Sequence, residues 1–367
     1  MGTRQSSASI DRVDIAQFTI PTDLPESDGT LEWDHTDITV VWASAGGQHG
    51  LGYTYAGSST AALIRDVLAD VVRGRDALAP TAAYEAMWRS IRNIGRPGVC
   101  SMAISALDCA LWDLKARLLD VPLASLLGPM RNSVPVYGSG GFTSYTNRQL
   151  ADQLAHWANE GIRAVKMKIG RDPLKDPERV RTARQAIGSA TRLYVDANGA
   201  YSPRAALAQM EMLAARDVSW FEEPVSSDDR AGMRFVRERT APGINIAAGE
   251  YGYDLFYFRE LLESGAVDVL QADITRCGGL TAFIQIAALC EAFHRPLSAH
   301  TAPALHVHAA CAAVPFTEQE YFHDHVRIES MFFDGLPALK GGTLRPDLTR
   351  PGNGLELRLA DVQEFAA

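Results

Sequence analysis

From Val134 onward, short apolar runs alternate with helical stretches at a spacing of about one βα unit, and this rhythm limits the fold more than any other feature. Candidate strands fall at 134–137, 164–169, 193–195, 218–221, 244–247, 267–272, 296–299 and 326–328. Segments between them, such as 177–187 and 203–214, carry apolar residues three and four apart, with Pro177 and Pro203 near their starts. Eight such units in roughly 200 residues predict an α/β fold of the closed parallel barrel type rather than an open doubly wound sheet.

The chain has 367 residues, more than one ordinary core accommodates, and its first third reads differently. There 38–43 is a β-branched run, 46–52 a Gly-rich turn, and 61–72 a helical pattern. The segment 101–119 is a longer amphipathic helix, with Ile104, Leu107, Ala110, Leu111 and Leu114 at helical spacing. Gly128 and Pro129 end that pattern. The predicted organisation is an α+β domain over 1–130, the barrel over 131–345, and a segment 346–367 that packs back on the first domain.

Composition excludes several classes. A net charge of -9 without a Lys/Arg cluster argues against nucleic acid or an anionic membrane as partner. Five scattered cysteines without a CxxC pair suggest neither a disulfide framework nor a zinc ribbon. The first residues, MGTRQSSAS, lack the apolar run of a signal peptide, which predicts a cytoplasmic protein. GSGGFTS at 138–144 fails the dinucleotide-binding pattern, because Thr143 stands where the last glycine belongs.

Barrel active sites lie at the C-terminal ends of the strands, so the polar residues there are the ones to read. The second candidate strand carries Lys166 and Lys168, two apart and therefore on one side. The third ends in Asp196 with Asn198 beyond it, the fourth in Glu222 and Glu223, and the fifth in Glu250. Asp273, His300 and Glu329 end the sixth, seventh and eighth. Three carboxylates on successive strands, Asp196, Glu222 and Glu250, offer hard oxygen ligands that suit Mg²⁺, with Mn²⁺ as the alternative. Capping of helices or pairing with surface cations is the bland reading of any one of them. Repulsion between neighbouring ammonium groups predicts that one of Lys166 and Lys168 deprotonates readily and serves as a base. Asp273 beside His300 predicts an oriented imidazole. A buried, protonated Glu329 would donate a hydrogen bond to a developing oxyanion.

VKMKIG, YVDANGAY, WFEEPV, IAAGE, QADITRCGGLT and SAHTAP, in this order, resemble the enolase superfamily, and within it the mandelate racemase subgroup. The resemblance spans essentially the whole chain. It implies a (β/α)₇β TIM-like barrel with an α+β capping domain, Mg²⁺ on Asp196, Glu222 and Glu250, and abstraction of the α-proton of a small carboxylate substrate. It further implies Lys168 as one base with Lys166 beside it, His300 with Asp273 as the other, and Glu329 as hydrogen-bond donor to the substrate carboxylate. The related muconate-lactonizing subgroup has a lysine where this chain has Asp273, so His300 and Asp273 favour the mandelate racemase type. The resemblance places Tyr137 and Ser139 at the barrel mouth as substrate contacts, with Asn198 near them. Trp33 and His35, after the polar loop 21–29, and His49 lie where the capping domain would close over substrate. A homo-oligomer is expected.

A divalent ion with bases on two faces permits dehydration to a 2-keto-3-deoxy acid, racemisation or epimerisation, or cycloisomerisation of a sugar-acid lactone. The polar segment 21–36 suits a polyhydroxylated sugar acid better than an aromatic one, which makes an acid-sugar dehydratase the leading expectation. The reading from a different class is a catalytically silent sugar-acid binding protein that keeps the fold.

Overall fold

The computed structural model describes residues 8–367. Its N-terminal sheet is antiparallel, in the order β1 (Arg12–Ser27), β2 (Glu32–Ala45) and β3 (Gln48–Thr54). The helix Val99–Leu118 lies on this sheet and buries most of its length. It approaches β3 so closely that a Cβ on Gly50 would sit 2.2 Å from the Ala110 carbonyl oxygen, and one on Gly52 2.2 Å from that of Ala106. The stretch expected to be a Gly-rich turn is therefore mostly strand, and these two glycines serve backbone approach rather than a bend. The polar stretch 21–29 is likewise not a free loop. Strand β1 continues to Ser27, with its register against β2 broken between Pro21 and Glu26 because proline cannot donate to the ladder.

Eight parallel strands follow: β4 (Val134–Gly140), β5 (Ala164–Lys168), β6 (Arg192–Asp196), β7 (Val218–Glu222), β8 (Asn245–Ala248), β9 (Val269–Ala272), β10 (Leu297–Ala299) and β11 (Phe316–Phe322). They close into a barrel through pairing of β11 with β4. A helix follows each of the first seven strands. Serine and aspartate caps start three of these helices: Ser202 accepts from Ala205, Asp229 from Gly232 and Asp254 from Tyr257.

The eighth strand lies at Phe316–Phe322, not at 326–328, where the structure has the helix His323–Phe332. Buried parallel strands are normally apolar, and FTEQEYF breaks that rule because Glu318 and Glu320 point into the barrel. There Arg192 and Tyr194 meet Glu318, at 2.8 and 2.5 Å, and Lys166 meets Glu320 at 2.8 Å. After β11 the chain turns onto the N-terminal domain, where Phe332 packs edge-on against Phe18 at 5.1 Å. The architecture is thus a (β/α)₇β barrel with a cap.

Midway up the barrel, Tyr137, Tyr194 and Trp220 form a layer, Tyr194 stacked on Trp220 at 5.0 Å. This layer is the floor under the polar side chains described below. The C-terminal residues return to the cap: Asn353 N–H donates to Asp113, whose other oxygen accepts from Leu51 N–H and Arg117. No helix among the described residues is long and apolar enough to cross a membrane.

Candidate active site

The C-terminal ends of β5 to β11 converge under the cap on a cavity of about 200 Å³, lined among others by Lys168, Asn198, Glu250, Arg276, His300 and Glu320. Small-molecule pockets commonly measure roughly 300–1,000 Å³, so this one suits a compact ligand. The cap covers part of it from above, through Asp28, Leu31, Trp33 and Thr36. A Cβ on Gly29 would lie 2.3 Å from the Ala197 carbonyl oxygen, so the turn after β1 rests directly on the barrel rim.

Asp196 and Glu222 are the last residues of β6 and β7, and Glu250 stands two beyond the end of β8. One oxygen of each lies within 4.8 Å of the others, and all three side chains are buried. Glu250 Oε2 accepts no hydrogen bond. Buried carboxylates this close repel unless a cation separates them, and a donor set of three carboxylate oxygens is that of a hard divalent ion. The residues fit such an ion.

The lysines meet the same carboxylates from the other side. Lys166 Nζ lies 2.5 Å from Glu222, 2.8 Å from Glu320 and 3.3 Å from Asp196, and Lys168 Nζ lies 2.6 Å from Asp196. Burial works against both ammonium groups, but these carboxylates outweigh it and hold both lysines above their ordinary range. The expected mutual repulsion is present at Lys168, where Lys166 lowers its affinity for the proton, but it loses to Asp196. Conversely, burial opposes the charge on Asp196, and Lys168 and Lys166 together hold its carboxyl well below the usual range. Glu222 is driven upward by burial and by Asp196.

Across the ring, His300 Nδ1 meets Asp273 Oδ2 at 2.8 Å. Asp273 is itself fixed, since its Oδ1 accepts from the Thr275 N–H and hydroxyl, each at 2.7 Å. That leaves Nδ1 as the protonated nitrogen and turns Nε2 toward Glu250 and Glu320, at 3.3 and 3.8 Å. Non-glycine residues with positive φ cluster at these strand ends, namely Asn198, Glu223, Thr301 and Ala302. Such backbone costs energy and persists where surrounding structure imposes it.

The residue models of two domains match the chain: the mandelate racemase/muconate lactonizing enzyme N-terminal domain over 30–128 and the enolase C-terminal domain-like model over 149–362. The chain belongs to the mandelate racemase/muconate lactonizing enzyme family. A mandelate racemase/muconate lactonizing enzyme-like protein from Rubrobacter xylanophilus is 52% identical, with a TM-score of 0.96 over 98% of this chain and 100% of that one. The 3,6-anhydro-alpha-L-galactonate cycloisomerase of Streptomyces coelicolor is 35% identical over 94% of this chain and 96% of its own. L-Talarate dehydratase from Polaromonas, solved with Mg and L-glucarate, is 29% identical, with a TM-score of 0.89 over 98% of both chains. Sugar-acid dehydratases, cycloisomerases and racemases are thus among the relatives. The chain is an enzyme of the enolase superfamily, a lyase or isomerase.

Of the residues singled out from the sequence, Lys168, Asn198, Glu250, His300 and Trp33 line the cavity. Lys166, Asp196, Glu222 and Asp273 stand immediately behind them in the ion-pair network. Glu329 does not join them. It lies on the helix after β11, where Tyr53 donates to it at 2.5 Å and the Ala304 N–H approaches at 3.3 Å. Glu320 occupies the strand-end place expected for Glu329. Its carboxyl is fully buried, yet Lys166 and His300 hold it below its ordinary range. Tyr137 is part of the floor, with Lys166 Nζ 5.5 Å above its ring, and Ser139 is buried beside Lys166 in the β4–β5 register. Neither lines the cavity. His35 is exposed and bonded to Asp34, and His49 sits at the far hairpin of the cap, bonded to Ser44. Both side chains are exposed. Arg276 was missed, though its place three residues after Asp273 could have flagged it. It lines the cavity between Asp273, at 3.5 Å, and Glu250, at 3.8 Å.

Proposed function

We propose that the protein is a Mg²⁺-dependent acid-sugar dehydratase, eliminating water across C2 and C3 of a polyhydroxylated acid to give a 2-keto-3-deoxy acid. The observation that carries this reading is the placement of two proton-transfer groups, Lys168 on β5 and the His300–Asp273 pair after β10 and β9. They lie three strands apart one way round the barrel and five the other, with the carboxylate triad on the longer arc.

Asp196, Glu222 and Glu250 would hold Mg²⁺, which would supply Lewis-acid polarisation of the substrate carboxylate and offset the negative charge that otherwise keeps both lysines protonated. Lys168, beside the retained ammonium of Lys166, then takes the proton from C2. His300, carrying its proton on Nε2 after protonation, delivers it to the departing C3 oxygen, while Asp273 stabilises the imidazolium. An anionic substrate carboxylate beside Glu320 raises the affinity of that side chain for a proton, so the two share one in a hydrogen bond. Lys166 orients Glu320 through their 2.8 Å contact.

A second reading is favoured by the relative named 3,6-anhydro-alpha-L-galactonate cycloisomerase, 35% identical over nearly the full length of both chains. The same groups would remove the α-proton, and a ring oxygen rather than a hydroxyl would leave. A silent binding protein would do neither. The test is a library of open-chain acids, lactones and anhydro acids, followed by mass and by 2-keto acid formation with Mg²⁺ present. Loss of water identifies the dehydratase, and unchanged mass with a new keto group identifies the cycloisomerase. In D₂O, Lys168→Ala should abolish C2 exchange from one face while His300→Asn retains it. Absence of any Mg²⁺-dependent C2 exchange or turnover across the library would sink the proposal.

A further inference from the structure

The cavity has two chemically different ends. At the barrel end stand Lys168, Glu250, Glu320 and His300, and both permanent cations that line it are matched by carboxylates. Lys168 meets Asp196 at 2.6 Å, and Arg276 lies between Asp273 and Glu250. The other end is built by the cap and by the helix after β11, through Asp28, Trp33, Thr36 and His325.

No lysine or arginine lines this cap end among the described residues. The nearby Arg327 is already satisfied: its guanidinium contacts Asp324 at 3.0 and 2.6 Å and donates to the Pro21 carbonyl at 2.6 Å. Arg171 pairs with Glu32 at the cap rim. What the cap end offers instead is negative or neutral. Asp28 is buried and pinned, its Oδ1 accepting from Thr30 N–H at 2.6 Å and Leu31 N–H at 2.7 Å. Trp33 Nε1–H is turned away, donating to the buried Glu26 at 2.9 Å.

His325 is the polar group left over. Its ring stacks on Tyr55 with centroids 3.4 Å apart and meets the edge of Phe322 at 5.0 Å, so its orientation is set by aromatic packing. Neither ring nitrogen bonds a described residue; packing closes Nδ1 off from the cavity, which leaves Nε2 as the nitrogen that a ligand there can reach. Buried polar groups in native proteins are ordinarily satisfied, so a group lining a cavity without a partner points to a ligand or water there. Burial and the nearby His300 hold this imidazole well below its ordinary range, so it is neutral at working pH.

We infer that the cavity selects polyhydroxylated acids with a single carboxylate, whose uncharged far end hydrogen-bonds to His325, and that it turns away the corresponding dicarboxylic acids. The inference rests on the α-proton reading above and sharpens it to aldonic-type rather than aldaric-type acids. A second carboxylate would face the buried Asp28 carboxylate with no free cation to meet it, and an unpaired charge set against a like charge is disfavoured.

The experiment uses the full-length, Mg²⁺-loaded enzyme and pairs of aldonic and aldaric acids with identical stereochemistry at the shared carbons. For the best pair, kcat/KM for the aldonic member should exceed that of the aldaric member by about a hundredfold or more. His325→Phe keeps the stack on Tyr55 but removes both nitrogens. It should raise KM for the aldonic acid about tenfold with kcat within about threefold, and His325→Gln should recover part of the loss. Equal or better turnover of the aldaric member overturns the inference and leaves the dehydratase reading standing. An unchanged KM in His325→Phe overturns the role of His325. Inactivity toward both members of every pair, with Mg²⁺-dependent turnover of other carboxylates, overturns the sugar-acid reading and this inference with it.

Discussion

Exchanging the roles of Glu320 and Glu329 has consequences that two isosteric substitutions can measure. Glu329 is fully buried, and burial pushes its carboxyl up to about 8 against the hydrogen bonds from Tyr53 and Ala304. The folded protein therefore keeps a proton that the unfolded chain releases near the ordinary value of 4.5. The sign follows: this stabilising contribution is complete below that value and is lost as pH rises through about 8. Between pH 5 and 7 the loss amounts to roughly 2–3 kcal/mol. Glu329→Gln cannot titrate, so its stability relative to the parent should rise by that amount over this interval in urea unfolding. Its kcat should stay within a few-fold, since Tyr53 and the start of the helix Pro303–Ala312 surround it rather than the cavity. Glu320→Gln should show the opposite pattern, losing about 10²–10³ in kcat through a displaced substrate hydrogen bond. Loss of kcat in Glu329→Gln on that scale, with an unchanged pH profile of stability, would refute the reassignment.

Two further outcomes test the site and the cap. Mg²⁺ at a hundred times its Kd should stabilise the protein by about 2.7 kcal/mol, and Glu222→Gln should abolish both that gain and turnover while retaining the far-UV circular dichroism spectrum; activity surviving exhaustive chelation would contradict it. Gly50→Ala places a methyl 2.2 Å from both the Ala110 carbonyl oxygen and the Leu114 nitrogen and should cost about 3 kcal/mol or more in thermal or urea unfolding, whereas Gly47→Ala, with open space around it and only a left-handed φ of +80° to strain it, should cost about 1 kcal/mol; equal effects would show that close approach is not what Gly50 serves.

Much of this protein is readable along the chain because its elements are local. Seven barrel strands announce themselves as apolar runs since parallel strands buried on both faces need such side chains, and Pro177 and Pro203 mark helix starts by geometry that needs no partner. The triad was legible for a related reason: acidic residues at successive strand ends cannot all be solvated once the strands are parallel neighbours. The eighth strand escaped because its glutamates are tolerable inside only where Arg192, Tyr194 and Lys166, from other strands, arrive to meet them. Helical or strand periodicity around Glu329 could not reveal Tyr53, 276 positions earlier, as its partner. The charge states of Lys166 and Lys168 were likewise undecided by their spacing of two, which predicts repulsion. Carboxylates brought from β6, β7 and β11 reverse its outcome, because in a buried site the nearest opposite charge outweighs a like charge farther away.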